Sequence, residues 1–242
     1  MRRFSLLVLV QLAAAAPLAA QFEGTVAMKV SGAGTTAGDL TMKMVVKGDQ
    51  QATIMTLPAS AGPMAGMEMR MVYDPRTMTA TSLMPLPAQL AQMPALAGAK
   101  GLKTVIDLSQ AAASAGNQAT DDHVEVKKLG TTQRIAGHDC EDYEITSSSN
   151  KPMRACIAQS LGHFLFPSMG GGMARGRSEA PGWTKVFGTK PGFPLKVWST
   201  TGDIAMEVTS IERGSVPQSM FEIPEGYVDM KALFGGRGGG GR

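Results

Sequence analysis

The sequence predicts a mainly β, single-domain protein built on an antiparallel sheet, and three observations predict it. Apolar and polar residues alternate with period two from Phe22 through Met84. Turn chemistry, Gly48-Asp49 and Asp74-Pro75 among others, punctuates that alternation at short intervals. The two cysteines, Cys140 and Cys156, flank a polar SSSNKP run, the pattern of two strands joined by a turn.

The chain begins with an expected secretory signal over residues 1–20. Arg2 and Arg3 give the positive start, Leu6 to Leu12 the apolar run and Ala13 to Ala20 the small-residue exit. No stop-transfer pattern follows, and no cysteine stands near Ala20 to carry a lipid. The expectation is an exported chain, periplasmic or secreted, not lipid-anchored and soluble after signal cleavage.

From residue 21 to 230 the reading is one β-rich domain. In FEGTVAMKVS, Phe22, Val26, Met28 and Val30 share one face, with Glu23, Thr25 and Lys29 on the other. After the turn-rich Gly32 to Gly38, Leu40, Met42, Met44 and Val46 point inward while Thr41, Lys43 and Lys47 point outward. QQATIMTL makes a third strand. Met67, Met69, Met71 and Tyr73 alternate with Glu68, Arg70 and Val72, and Thr77 to Met84 returns as the next strand. The expectation for this half is a meander with one apolar and one polar face.

Pro85 to Ala119 breaks the period and reads as one or two helices lying over the sheet, although Thr104 to Leu108 equally fits a strand. Strands resume with HVEVKKLG, with TTQRI after Gly130, and with the two cysteine segments. Gly137 is the natural turn before Asp139. Phe164 to Gly192 reads as a long exposed loop. FPLKVWST and DIAMEVTSIE form a hairpin about Thr201-Gly202, with Ile204, Met206 and Val208 on one face, and SVPQSMFEIPEGYVDM closes the fold. Residues 231–242, ending in GGRGGGGR, read as a disordered tail.

A symmetric hairpin centred on Ser148 sets Cys140 opposite Cys156. Opposed Cβ atoms lie about 4.5–5.5 Å apart, close to what a disulfide needs. In an oxidising compartment such a pair joins, closing a loop of about 15 residues worth roughly 3 kcal/mol in the chain-entropy model. The spacing is not CxxC, so the expected role is structural.

Composition narrows the function classes. The formal charge of +3 falls to +1 once Arg2 and Arg3 are removed, which gives no electrostatic case for nucleic acid. Arg175, Arg177, Arg237 and Arg242 among glycines fit flexible linker and tail, and Gly170 to Gly172 lacks the lysine and hydroxyl of a phosphate loop. His123, His138 and His163 show no metal-ligand spacing, and no Gly-x-Ser-x-Gly is present. No catalytic residue and no cofactor are expected.

The unusual feature is methionine: 18 residues, against 8 Phe, 3 Tyr and 2 Trp. Three readings stay open. The first is ordinary core. The second is a soft lining for an apolar, lipid-like guest, formed by Val26, Met28, Met42, Met44, Met67, Met69, Met71 and Met206; methionine is unbranched and polarizable. The third is Cu(I) held by the thioethers of Met64, Met67, Met69 and Met71. Alternation spaces the last three about 7 Å apart, too far for one ion without help from other strands.

FEGTV, the M-x-M-x-M-V-Y-D-P strand and turn, T-x-x-IAGHDCEDYEI, the second cysteine, PLKV, EVTSIE and VPQSMFEIPEGY occur in this order. The arrangement resembles domain-of-unknown-function family 4412 of exported bacterial proteins, from Phe22 to Met230. More distantly it is similar to the periplasmic lipoprotein-carrier superfamily. That resemblance implies an open, strongly curved half-barrel sheet with one or two helices over its concave face. The expected function is a non-enzymatic carrier or binding module for a lipid-like ligand. The alternatives are an envelope structural or protein-interaction module and a methionine-rich copper protein.

Overall fold

The computed structural model describes residues 22–31, 40–57, 59–110, 124–148, 151–161 and 192–234. The expected signal at 1–20, the turn at 32–38, most of the Phe164 to Gly192 loop and the last eight residues lie outside these.

Among the described residues twelve strands form one open, curved sheet that does not close on itself. β1 (Glu23–Val30), β2 (Leu40–Lys47), β3 (Gln50–Thr56), β4 (Glu68–Asp74) and β5 (Thr79–Pro85) make the expected meander. β7 (Val124–Ile135), β8 (His138–Ser147), β9 (Met153–Ala158), β10 (Phe193–Ser199) and β11 (Ile204–Arg213) make a second one. The two are joined where β1 pairs with β11. The spatial order is β12-β6-β5-β4-β3-β2-β1-β11-β10-β9-β8-β7, in which β6 is Gly101–Asp107 and β12 is Tyr227–Asp229. Bulges interrupt the register between Ala27 and Met28, between Pro194 and Lys196, and between Val197 and Trp198. Each extra residue bends its strand and sharpens the local twist, which is how a sheet this wide curls.

Several expectations need correction. Within Pro85 to Ala119 the strand alternative for Thr104 to Leu108 is the one observed, and it starts earlier: β6 pairs with β5, Leu102 opposite Met84, so the β-branched TVID run continues the sheet. The helical structure is smaller, α1 (Ala88–Ala91) and a 3₁₀ turn at Pro94–Leu96. Another helical turn starts at Leu108, where Asp107 accepts the backbone N–H groups of Ser109 and Gln110 as a cap. VEVKKL and TTQRI are one continuous strand with a bulge at Gly130, whose φ of 78° suits glycine. The sheet is not wholly antiparallel, because β12 runs parallel to β6. Residues 231–234, read as the start of a tail, are helical, since Met230–Phe234 form α2.

The hairpin register also differs. Cys156 lies opposite Asp142, so the Cys140–Cys156 disulfide spans the strands diagonally, with Cα atoms 5.3 Å apart. Asp142, buried beside it, takes hydrogen bonds from Thr131 Oγ1 at 2.7 Å and Gln133 Nε2 at 2.8 Å. Thr131 belongs to the bulged stretch of β7, where Leu129, Gly130 and Thr131 stand against Asp142 alone, and Gln133 lies just beyond it, opposite Cys140.

Apolar residues are buried on both sides of the sheet. The larger core runs from Met84 and Leu102 to Cys140 and Ile145, and Leu90, Met230 and Leu233 of the short helices pack against it. The smaller core holds Val45, Ala52, Val72 and Leu83 under Val216 and Phe221. The face expected to be polar therefore carries its own core.

Candidate functional site

The two-residue turn at Gly48-Asp49 sets Lys47 opposite Gln50, and that register sets Met42 opposite Met55. Met28 lies opposite Met42 on one side, and Met55 opposite Met69 on the other. Four thioether side chains thus form one row across β1, β2, β3 and β4. Val208 extends the row on β11. A second row follows, Val26, Met44, Thr53, Met71 and Ser82.

Of the residues expected to line this face, Val26, Met28, Met42, Met44, Met69 and Met206 are each no more than 6% exposed. Met67 and Met71 are half-buried, as is Met64. The buried ones belong to one core. Met64, Met67, Leu86 and Leu90 lie against this core as partly buried cover. The lateral pairing ties Met69 to Met55, and Met71 falls opposite Thr53 and Ser82.

Met55 belongs to the row and was not among the expected lining residues. The Gly48-Asp49 turn was the signal that could have found it. Met84 is buried in the same core.

The back face is built differently. After β11 the chain crosses it as a strap, residues 214–226, with one 3₁₀ turn at Gln218–Met220, and joins the far edge as β12. The Glu23 carboxylate accepts the Val216 N–H at 3.0 Å, and Lys47 Nζ donates to the Val216 carbonyl at 3.2 Å. Arg70 donates through both terminal nitrogens, to the carbonyls of Ser219 and Glu222, each at 3.1 Å. Tyr227 then lies over Gly101, where an added Cβ would come within 2.5 Å of the ring. An open cleft of about 400 Å³ lies at one end of the strap, between Phe221, Ile223 and the β2–β3 and β4–β5 turns, with Asp49, Gln50, Asp74 and Arg76 in its wall.

One charged group stands apart at the β7 edge. Lys128 Nζ lies 2.7 Å from Glu141 Oε1, and the Tyr143 hydroxyl donates to Glu141 Oε2 at 3.0 Å. The hydrogen bond from Lys128, then that from Tyr143, hold the Glu141 carboxyl below its ordinary range. Burial, then the bond to Glu141, push the Tyr143 phenol up. His138 opens β8 opposite Ile135; His123 and His163 lie outside the described residues. Among the described residues, no three of His, Cys, Asp and Glu group as metal ligands, and no helix is long and apolar enough to cross a membrane.

Fold and site together define a mainly β module: one open sheet, a disulfide near one edge and a buried methionine face. The chain belongs to the domain-of-unknown-function family DUF4412, which matches residues 22–227. No curated protein matches it. Among solved structures the chain is similar to crystalline MucB, with 14% identity and a TM-score of 0.36, over 85% of this chain and 57% of that one. MucB in complex with MucA(peri) gives 15% identity and a TM-score of 0.35, over 84% and 54%. The chain thus spans little more than half the length of those relatives.

Proposed function

We propose that this is a non-enzymatic binding module of an exported protein, whose methionine face takes up an apolar, lipid-like group. The observation that carries the reading is the row Met28, Met42, Met55 and Met69, four unbranched side chains abreast on neighbouring strands. Leu, Ile or Val at these positions would fill the same space with stiffer shapes. Methionine has three rotatable bonds and a polarizable sulfur, so a row of it repacks around guests of varied shape. Among the described residues the cover over this face includes α1, four residues long and with none buried. Entry of a guest means displacing that cover.

The disulfide suits an oxidising compartment, and with the expected signal it supports a periplasmic or secreted location. Native mass spectrometry of the protein purified from its own host's envelope tests the reading. Co-purifying lipid that is lost on changing Met42 and Met55 to bulkier Phe supports it. Repeated absence of any bound apolar molecule overturns it.

A second reading, an envelope structural or protein-interaction module, is favoured by β7. It is a twelve-residue strand at the sheet edge, and edges of this kind accept an added strand. Recovery of a stable partner that is lost on placing proline in β7 would favour it.

A further inference from the structure

The sheet ends differently at its two edges. β12, at one end, is three residues long and runs straight into α2. β7, at the other, is twelve residues long, contains no proline and, among the described residues, is paired on one side only. The bulge at Leu129 to Thr131 breaks it, so the regular part of the open edge is Val124 to Lys128, the stretch VEVKK. Val124 and Val126 are half-buried against the larger core, while Glu125 and Lys127 alternate with them and stand exposed. Glu125 lies opposite Thr146, and Lys127 opposite Glu144, which Arg154 already holds at 3.5 Å. Among the described residues neither Glu125 nor Lys127 forms an ion pair.

Lysines on an edge ordinarily turn away a passing strand. This edge, however, complements itself. Two copies of β7 laid antiparallel are related by a two-fold axis through one residue, because residues opposite each other must share a face of the sheet. An axis at Glu125 sets glutamate against glutamate, and an axis at Lys127 or Lys128 sets lysine against lysine. An axis at Val126 sets Glu125 against Lys127 of the second copy and Lys127 against its Glu125, with the two Val126 side chains abreast on the core side. We propose that the protein self-associates through this edge, Val124–Lys128 of two copies pairing antiparallel about Val126 into one continuous sheet. The axis is perpendicular to the sheet, so both methionine faces look the same way. Five residues a side make a smaller contact than a standard stable interface, so the dimer is weak and depends on concentration. The proposal rests on the second reading above, to which it gives an occupant, and is independent of the methionine-face reading.

Sedimentation velocity of the full exported chain, from micromolar to millimolar concentration, should show a reversible monomer–dimer equilibrium. Glu125→Lys and Lys127→Glu each set like charges opposite one another and should raise the dimer dissociation constant about tenfold. The double reversal, Glu125→Lys with Lys127→Glu, restores two opposite-charge pairs and should restore the dimer. An equimolar mixture of the two single variants should form mixed dimers in preference to either variant alone. Both positions are exposed, and circular dichroism checks that each variant is folded. In the unaltered protein, amide exchange at Val124–Lys128 should slow as concentration rises, which locates the contact without any substitution. A chain that stays monomeric at millimolar concentration overturns the proposal. So does a dimer indifferent to both single reversals, a double reversal that stays monomeric, or exchange at Val124–Lys128 that ignores concentration. A monomer that instead captures a different protein on β7 also overturns it, and leaves the second reading standing.

Discussion

The two faces of β2 to β5 share one backbone and solve burial in different ways. On one face the row Met28, Met42, Met55 and Met69 packs flexible side chains against each other, in a core that continues across both meanders. On the other, four compact residues, Val45, Ala52, Val72 and Leu83, lie under a strap fixed by Arg70, Lys47 and Glu23. The first face gains from area and tolerates changes of shape. The second depends on a few anchors and on directional bonds, so losing one anchor matters more. On the reading proposed above, plasticity lies on the methionine side of the sheet and directional bonding on the strap side.

The sharpest way to break this comparison is Phe221→Ala. It removes the largest anchor of the small core and should cost about 3–5 kcal/mol in denaturant melts. A cost under 1 kcal/mol would show that the strap is ornamental to the back face. Next comes Arg70→Met, which keeps most of the stem and deletes both bonds to the strap. Hydrogen bonds from a charged group are worth about 1.5–3 kcal/mol, and solvent screening at this partly exposed site should bring the loss toward the lower end. Arg70→Lys should recover only part of it, because a point charge cannot reach both carbonyls as the fork does.

On the methionine face, Met42→Leu and Met55→Leu conserve volume and should each cost less than about 1.5 kcal/mol. If they cost as much as the alanine substitutions, about 2–5 kcal/mol, the row is a fitted jigsaw and its plasticity is refuted. The smallest effect belongs to neither face. Glu141 has its carboxyl lowered in the folded state by Lys128 and Tyr143. Its stabilisation is therefore complete above the unfolded carboxyl range and disappears as pH falls through the lower folded value. Acidifying from neutral pH to below about pH 4 should loosen the β7–β8 hairpin slightly, as read by amide exchange on β7. Glu141→Gln should flatten that dependence, and an unchanged profile would remove Glu141 from the account.

Much of the sheet was legible. Alternation in Glu23–Val30 and Leu40–Lys47 assigned Val26, Met28, Met42 and Met44 to the buried side, and all four are there. The Cys140–Cys156 pairing was legible too, although its register was not. The Leu129 to Thr131 bulge and the buried Asp142 accompany a hairpin whose cysteines are offset, and no local rule announces a bulge of that size. Met55 was recoverable from the Gly48-Asp49 turn by counting back along both strands.

Arg70 shows where local reading stops. On β4 it alternates with Met69 and Met71 and reads as a solvated charge, because period two says only that it faces away from methionine. Its partners at Ser219 and Glu222 lie 149 and 152 residues further along the chain. The sequence by itself determined most of the strands of the two meanders, which way their side chains point and that the two cysteines join, because backbone pleat and turn chemistry are set by near neighbours. The tertiary structure alone decided that the outward face is covered, and that methionines from four strands stand abreast. Both depend on topology bringing distant segments into register, and no short-range preference encodes that.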